Sequence, residues 1–358
     1  MADCQASRTQ LPQGFEALRI ENDHISLTVL PERGADLYEW VHKPTGIDVL
    51  WKSPWGLGRH RGNPSTSTTT ASAWIEAYEG GWQVLFPSGG GPSLYKGVEL
   101  NFHGEASVSA WDVEDFGMAS AGAGMRLSNR LARSPFRISR EIYLKPGDSH
   151  FQLRETVTNE GGEPVDYMWG HHPAYGAPLI GELCRIDTNA ASITADDLND
   201  GPGNPMDLGA TFSWPSAQRD GAGNDLSIVP GEDAERATLG YLHDFANETA
   251  WYGLTNTARG VGAGLAWQRA ELPCAWFWQE LHATPGFPWY KGVYVMAIEP
   301  NTSYPGQGLV AMSAKTGMQR TLLPGESASL EIRAVLYESN TGIEGITLDG
   351  AVKRRQEH

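Results

Sequence analysis

Residues 136–157 read FRISREIYLKPGDSHFQLRETV. Phe136, Ile138, Ile142 and Leu144 share one parity, and Phe151, Leu153 and Val157 share another run of alternate positions beyond Lys145-Pro146-Gly147-Asp148. Side chains alternate across a strand, so an apolar residue at every second place gives one buried and one solvated face. Two such runs joined by Pro-Gly-Asp read as an antiparallel hairpin.

The same pattern extends both ways along the chain. Ile25, Leu27 and Val29 alternate with Ser26 and Thr28, and Ile47, Val49 and Trp51 follow a Pro44-Thr45-Gly46 turn. Val165, Tyr167 and Trp169 follow Gly161-Gly162, and Leu330, Ile332, Ala334 and Leu336 alternate with Glu331 and Arg333. The expectation is an all-β chain folded as a large antiparallel β-sandwich with little helix. A single short helix is expected over residues 71–78. Arg61–Ser72 is rich in Ser and Thr and reads as a loop; Asp196–Asp225 is dense in Gly, Pro, Asn and Asp and reads as a long irregular excursion. Neither interrupts the strand pattern as a linker would. One domain over 1–358 is therefore expected, with loose ends at about 1–14 and 345–358.

Composition narrows the function classes. The 358 residues are 40% hydrophobic and 20% charged, a globular balance. The formal net charge of −16, with no basic cluster, argues against nucleic acid or an anionic membrane as partner. No apolar run reaches the ~18 residues of a membrane span, and Met1–Gln13 is polar, which points to the cytoplasm rather than to secretion. Cys4, Cys184 and Cys274 lie far apart without metal-ligand spacing and read as reduced structural thiols.

Three segments place ionisable residues where a strand becomes a turn. They are Asn101-Phe102-His103-Gly104-Glu105, Trp169-Gly170-His171-His172-Pro173-Ala174-Tyr175-Gly176, and Ala297-Ile298-Glu299-Pro300-Asn301-Thr302. Strand ends on a rigid sheet are good mounts for a site. Of the adjacent His171 and His172, one must face away from whatever the other faces. Two histidines and a carboxylate make an acid–base set or a metal set, and spacing does not choose between them.

In this order the three segments resemble the landmark motifs of the aldose 1-epimerase (mutarotase) superfamily. Leu30-Pro31-Glu32-Arg33-Gly34-Ala35 adds to the likeness, which runs from about residue 18 to 338. Gly80-Gly81-Trp82-Gln83-Val84-Leu85-Phe86-Pro87 is similar to a branch of that family whose activity is less defined. The resemblance implies a β-sandwich with the site on one sheet face and anomer interconversion of an aldose or modified sugar without metal or organic cofactor. It implies Glu299 as base, His172 as acid, His103 as an assistant at the ring oxygen, and Asp244 as a binder of sugar hydroxyls. The segments Gly58-Arg59-His60-Arg61, Trp276-Phe277-Trp278-Gln279-Glu280 and Trp289-Tyr290 depart from the galactose enzymes. Arg59, Trp276, Trp278 and Gln279 are taken as candidate substrate contacts; Arg33, Arg59 and Arg61 leave a phosphorylated or sulfonated sugar open. The competing readings are a non-catalytic sugar-binding or regulatory protein, a sugar-cleaving enzyme using Glu299 with Glu280 or Asp244, and a metal-dependent isomerase using His103, His172 and Glu299.

Overall fold

A computed structural model describes residues 3–58 and 68–356. Arg59 and Arg61 lie outside the described residues. Two large sheets carry the fold. The first has twelve strands, ordered along its length as 5–10, 16–21, 25–30, 36–42, 82–85, 170–176, 294–301, 274–281, 236–245, 190–195 and 211–213, with 47–48 at its side. The second has eight, ordered as 184–188, 249–256, 261–268, 327–338, 150–159, 136–144, 122–130 and 112–119. Only two helices occur among the described residues, Thr70–Ala77 and Leu309–Thr316.

The sheets pack face to face, as alternation at period two requires. Leu37, Val84 and Phe277 of the first meet Ile138, Leu153 and Leu336 of the second in one buried cluster. The hairpin expected around Lys145–Asp148 is present: Phe136–Leu144 pairs antiparallel with His150–Asn159, Leu144 opposite Phe151. Burial alternates along both strands. Within that inward parity stand two charged residues, Arg140 and Glu155, directly opposite each other in register and both buried. Arg140 Nε donates to Glu155 Oε1 at 2.6 Å, and Arg140 Nη1 donates to the Ala35 carbonyl at 2.6 Å.

Both expected loose ends carry strands. Gln5–Gln10 pairs with Glu16–Glu21 along its whole length. Its side chains are almost all exposed, so this edge strand shows no apolar parity; backbone pairing holds it. Near the other end Ile343–Ile346 pairs with Val352–Arg354, and Ile343 and Ile346 pack against Trp251 and Tyr337 on the outer face of the second sheet. The excursion 196–225 is likewise partly regular. Thr211–Ser213 joins the first sheet, and Ser216–Arg219 pairs with Ala222–Asp225 around Asp220-Gly221, both at positive φ. Asp-Gly is a strong two-residue hairpin signal, hidden here among many other turn formers.

Cys4, Cys184 and Cys274 are free and buried, as expected of structural thiols. No helix among the described residues is long and apolar enough to cross a membrane.

Candidate functional site

The site lies on the face of the first sheet turned away from the second. Gly170–Gly176 pairs with Tyr294–Asn301, Gly170 opposite Asn301 and Ala174 opposite Ala297, a register that sets His172 opposite Glu299. On the other flank Glu299 pairs with Trp276 of Cys274–Leu281. Three neighbouring strands thus bring His172, Glu299 and Trp276 into one row. The doublet divides as alternation demands. His171 faces the core, with Nε2 3.4 Å from Glu155 Oε2 and Nδ1 accepting from the Trp82 indole at 3.2 Å. His172 faces the site, its Nε2 3.6 Å from Glu299 Oε1.

His103 arrives from a loop rather than a strand, at φ 60°. The chain there is pressed against Phe86: a Cβ on Gly104, itself at φ +78°, would lie 2.2 Å from the Phe86 carbonyl oxygen, so only glycine fits. The Gly90 N–H donates to His103 Nδ1 at 3.0 Å, which places the ring hydrogen on Nε2. The His103 and His172 ring centroids are 5.7 Å apart.

These groups line a cavity of about 230 Å³. Its cover is the helix Thr70–Ala77, capped at Thr69. Trp74, within it, and Tyr78, just past its end, are four residues apart and share a face. Trp74 stacks on Tyr78 at 4.6 Å and meets His103 edge-on at 4.6 Å; the Tyr78 hydroxyl lies 3.5 Å from His172 Nδ1. Arg33 anchors the helix end, donating to the Ala77 carbonyl and pairing with Glu79, so it serves as a strut and lines neither this cavity nor the groove beside it.

Burial controls the charges. It pushes the Glu299 carboxyl well above the usual carboxylate range, and Glu299 Oε2 is buried without a hydrogen-bond partner. It holds the His172 imidazole down at about 4. Burial, and then the neighbouring His172, keep His103 well below its ordinary value. Burial, then the Glu299, Asp36 and Glu79 carboxylates, raise the Tyr78 phenol far above 10. Burial thus disfavours the charged forms of Glu299, His172, His103 and Tyr78 alike. A hollow of about 470 Å³ on the outer face of the second sheet is larger, but it is lined by residues such as Ser139, Arg154 and Glu331 and contains no histidine or aromatic ring. Chemistry rather than volume selects the inner cavity.

The remaining candidates separate. Trp278 lines the cavity partly buried, its ring 5.6 Å from that of His172. Trp276 forms the floor, 2% exposed, its indole N–H donating to the Ser303 carbonyl at 2.8 Å. Gln279 is a correction for the inner cavity, which it does not line: it has the parity of Ala275, Phe277 and Leu281, which pack between the sheets, and its amide is fully buried with neither atom bonded, although the residue borders the neighbouring groove. Asp244 is another. It sits at the far end of Arg236–Phe245, three residues or about 10 Å along the strand from Tyr241, the register partner of cavity-lining Trp276, and lines neither the cavity nor the groove beside it. Its carboxylate is 66% exposed and pairs with His243. Glu280 is tied up as a turn brace, accepting from the Ala283 and Thr284 backbones at 3.1 and 2.8 Å and from the Thr284 hydroxyl. It also stands four residues, about 13 Å, along the strand from Trp276, the partner of Glu299. That exceeds the roughly 5–10 Å between paired glycosidase carboxylates. Among the described residues no three His, Cys, Asp or Glu side chains converge as a metal-binding group.

A family profile covers residues 12–335 and is described as a domain of unknown function, DUF4432. The chain belongs to the DUF4432 family. Among solved structures, this DUF4432 chain is similar to a candidate aldose 1-epimerase from Klebsiella pneumoniae, with 21% identity, TM-score 0.68, and coverage of 95% of this chain and 85% of that one. It is also similar to a galactose mutarotase-like protein from Clostridium acetobutylicum, with 15% identity, TM-score 0.66, and coverage of 94% and 99%. A galactose mutarotase-like protein from Lactobacillus casei follows at 18% identity and TM-score 0.57, with 90% and 100% covered. No curated protein matches the chain in sequence. At these identities the likeness is one of fold, and at that level the DUF4432 chain is a mutarotase-like sandwich, as its motifs implied.

The sequence reading missed Trp74, Tyr78 and Phe102 as site residues. The i, i+4 spacing of Trp74 and Tyr78 on an expected helix was the available signal. Nothing local showed which way that helix would face.

Proposed function

We propose that this protein binds a free aldose or modified sugar in the inner cavity and interconverts its anomers by acid–base ring opening. The observation that carries the reading is the buried His172–Glu299 pair with an unpartnered carboxylate oxygen, beside His103, under aromatic rings. Opening a pyranose requires the C1 hydroxyl proton to leave as the bond from C1 to the ring oxygen breaks. The electron pair of that bond goes to the ring oxygen, which takes up a proton, and C1 becomes a carbonyl. Rotation about C1–C2 and reclosure by the reverse steps give the other anomer. Glu299 is the proposed base and His172 the proposed acid. His103, neutral with its hydrogen on Nε2, is suited to donate to a sugar oxygen and position the ring. A buried carboxyl with one oxygen unpartnered costs stability through desolvation, which favours a catalytic role over a purely binding one.

The pH dependence follows from the proton count. Two arrangements of the pair, carboxylate with imidazolium and carboxylic acid with neutral imidazole, hold the same single proton. The rate should therefore follow the singly protonated pair and form a bell belonging to both groups together. The acid limb is expected near 4, where His172 gains a second proton for the pair, and the alkaline limb at the raised position of Glu299. Exchange NMR on anomers across pH 3–10 checks this; a rate that rises steadily with pH beyond the uncatalysed background would contradict it.

Activity should survive exhaustive chelation, since His and Glu suffice for both proton transfers. Loss on chelation with recovery on one added metal would reject the cofactor-free reading. Trp278→Ala should weaken sugar binding roughly 2- to 10-fold through loss of one aromatic face, with the protein still folded because the ring is only partly buried. Intrinsic fluorescence titration measures it, and wild-type affinity in the variant would remove Trp278 from the sugar's path.

A further inference from the structure

The inner cavity adjoins a groove of about 730 Å³, and Phe102, Asn199, Leu239, Trp278, Trp289 and Gly306 line both. A Cβ on Gly306 would come within 2.9 Å of the Trp276 ring, so the backbone at this shared boundary packs directly on the cavity floor. At about 230 Å³ the inner cavity falls below the ~300 Å³ at which small-molecule sites usually begin, whereas the groove is well within the range.

The groove has the makeup of a sugar-ring subsite. Trp278 and Trp289 stand at its threshold with ring centroids 5.9 Å apart and planes 45° apart, so they offer two differently tilted apolar faces. Trp289 is backed by Trp55, stacked at 6.3 Å. Beyond them the wall is polar and held in place. Buried Asp196 accepts from the Leu198 and Asn199 backbones at 2.9 and 2.7 Å, from the Tyr241 hydroxyl, and from the Gln307 amide at 3.0 Å. Among the described residues, no Lys or Arg lines either space, while Asp196, Asp200 and Glu280 line the groove. Flat apolar faces next to fixed polar groups, without cations, suit an uncharged hydroxyl-rich ring.

We infer that the substrate is the reducing end of a neutral disaccharide or longer saccharide, with the preceding ring carried in this groove. The inference rests on the epimerase reading. It places C1 at Glu299 and His172 and C4, on the opposite side of the pyranose, towards the shared wall of Trp278 and Trp289, so that a 1→4-linked second ring enters the groove.

The test compares each of four monosaccharides with the 1→4-linked disaccharides that end in it: glucose with cellobiose and maltose, galactose with galactobiose, mannose with mannobiose, and xylose with xylobiose. The full chain is used. Affinity is read by calorimetry, anomer interconversion by exchange NMR, and contact of each ring by saturation-transfer NMR. At least one disaccharide is expected to exceed its own monosaccharide about tenfold in kcat/KM, with saturation reaching both rings. If no disaccharide surpasses its monosaccharide, or if the second ring receives no saturation, the inference is overturned; monosaccharide turnover in that case leaves the epimerase reading standing. A disaccharide that binds through both rings while its anomers interchange at the uncatalysed rate supports the groove and sinks the epimerase reading instead.

Discussion

Glu299→Gln should slow anomer interconversion about 100- to 10,000-fold while sugar binding changes far less, because a positioned acid or base typically contributes that factor. Glutamine keeps the shape and the site contacts but cannot take a proton from the C1 hydroxyl. His172→Asn should lose a similar factor, and the double variant less than the product, since both groups act on one ring opening. Stability supplies the control. Burial raises the Glu299 carboxyl, so the folded chain binds a proton there that the unfolded chain, with its ordinary value near 4.5, releases first. A raised folded pKa on a carboxyl means that the contribution of Glu299 to stability declines as pH rises above about 4.5 and stops declining only beyond the folded value. Glu299→Gln removes that penalty, so the variant should unfold at the same or a higher temperature at neutral pH. Interconversion at the wild-type rate in Glu299→Gln would remove Glu299 as base and undo the motif assignment at its centre.

The largest effect on stability is expected from Arg140→Met, at about 3–5 kcal/mol, read by chemical denaturation at pH 7. Arg140 and Glu155 are 1% and 0% exposed between the sheets. Removing the cation leaves Glu155 buried with only His171 and the Trp169 indole, which donates to Oε2 at 2.9 Å. Burial by itself would raise the Glu155 carboxyl, but the Arg140 charge, followed by His171, holds it at about 2. A folded value below the unfolded one means that this stabilisation is fully present above about pH 4.5 and is lost as pH falls towards 2. The cost of Arg140→Met should therefore shrink on acidification. Adding Glu155→Gln should recover part of it, because the uncompensated charge goes with the carboxylate. A loss under about 1 kcal/mol at pH 7 would show that the pair is not what holds this part of the core. Glu155 also reaches His171, the residue before His172, so the same buried pair supports the strand on which the proposed acid is mounted.

Arg140 and Glu155 also show what a parity reading passes over. They occupy inward positions in adjacent strands of the very hairpin that revealed the fold, and they are opposite in register. The apolar residues around them declared the buried face; the two charges on that face were the sign of a buried pair. The Asp220-Gly221 hairpin was overlooked because turn residues crowded its neighbourhood, and the polar edge strand Gln5–Gln10 because backbone pairing leaves no mark on side-chain type.

Strand period, turn chemistry and the splitting of His171 from His172 were legible from residue order alone, because all three follow from backbone geometry over a few residues. The sandwich, its scarcity of helix and the three strand-end motifs came from that local information. Which groups share a site did not. His172, Glu299 and Trp276 meet through the register of three strands far apart in the chain, and the helix that carries Trp74 is turned over them by Arg33 and Glu79. Asp244 and Gln279 fit a motif or an aromatic-rich segment, yet the first stands about 10 Å along its strand from the site row and side-chain alternation turns the amide of the second into the core. The charge state of the site also needed the assembled fold, since it is burial, a property of packing, that raises Glu299 and lowers His172.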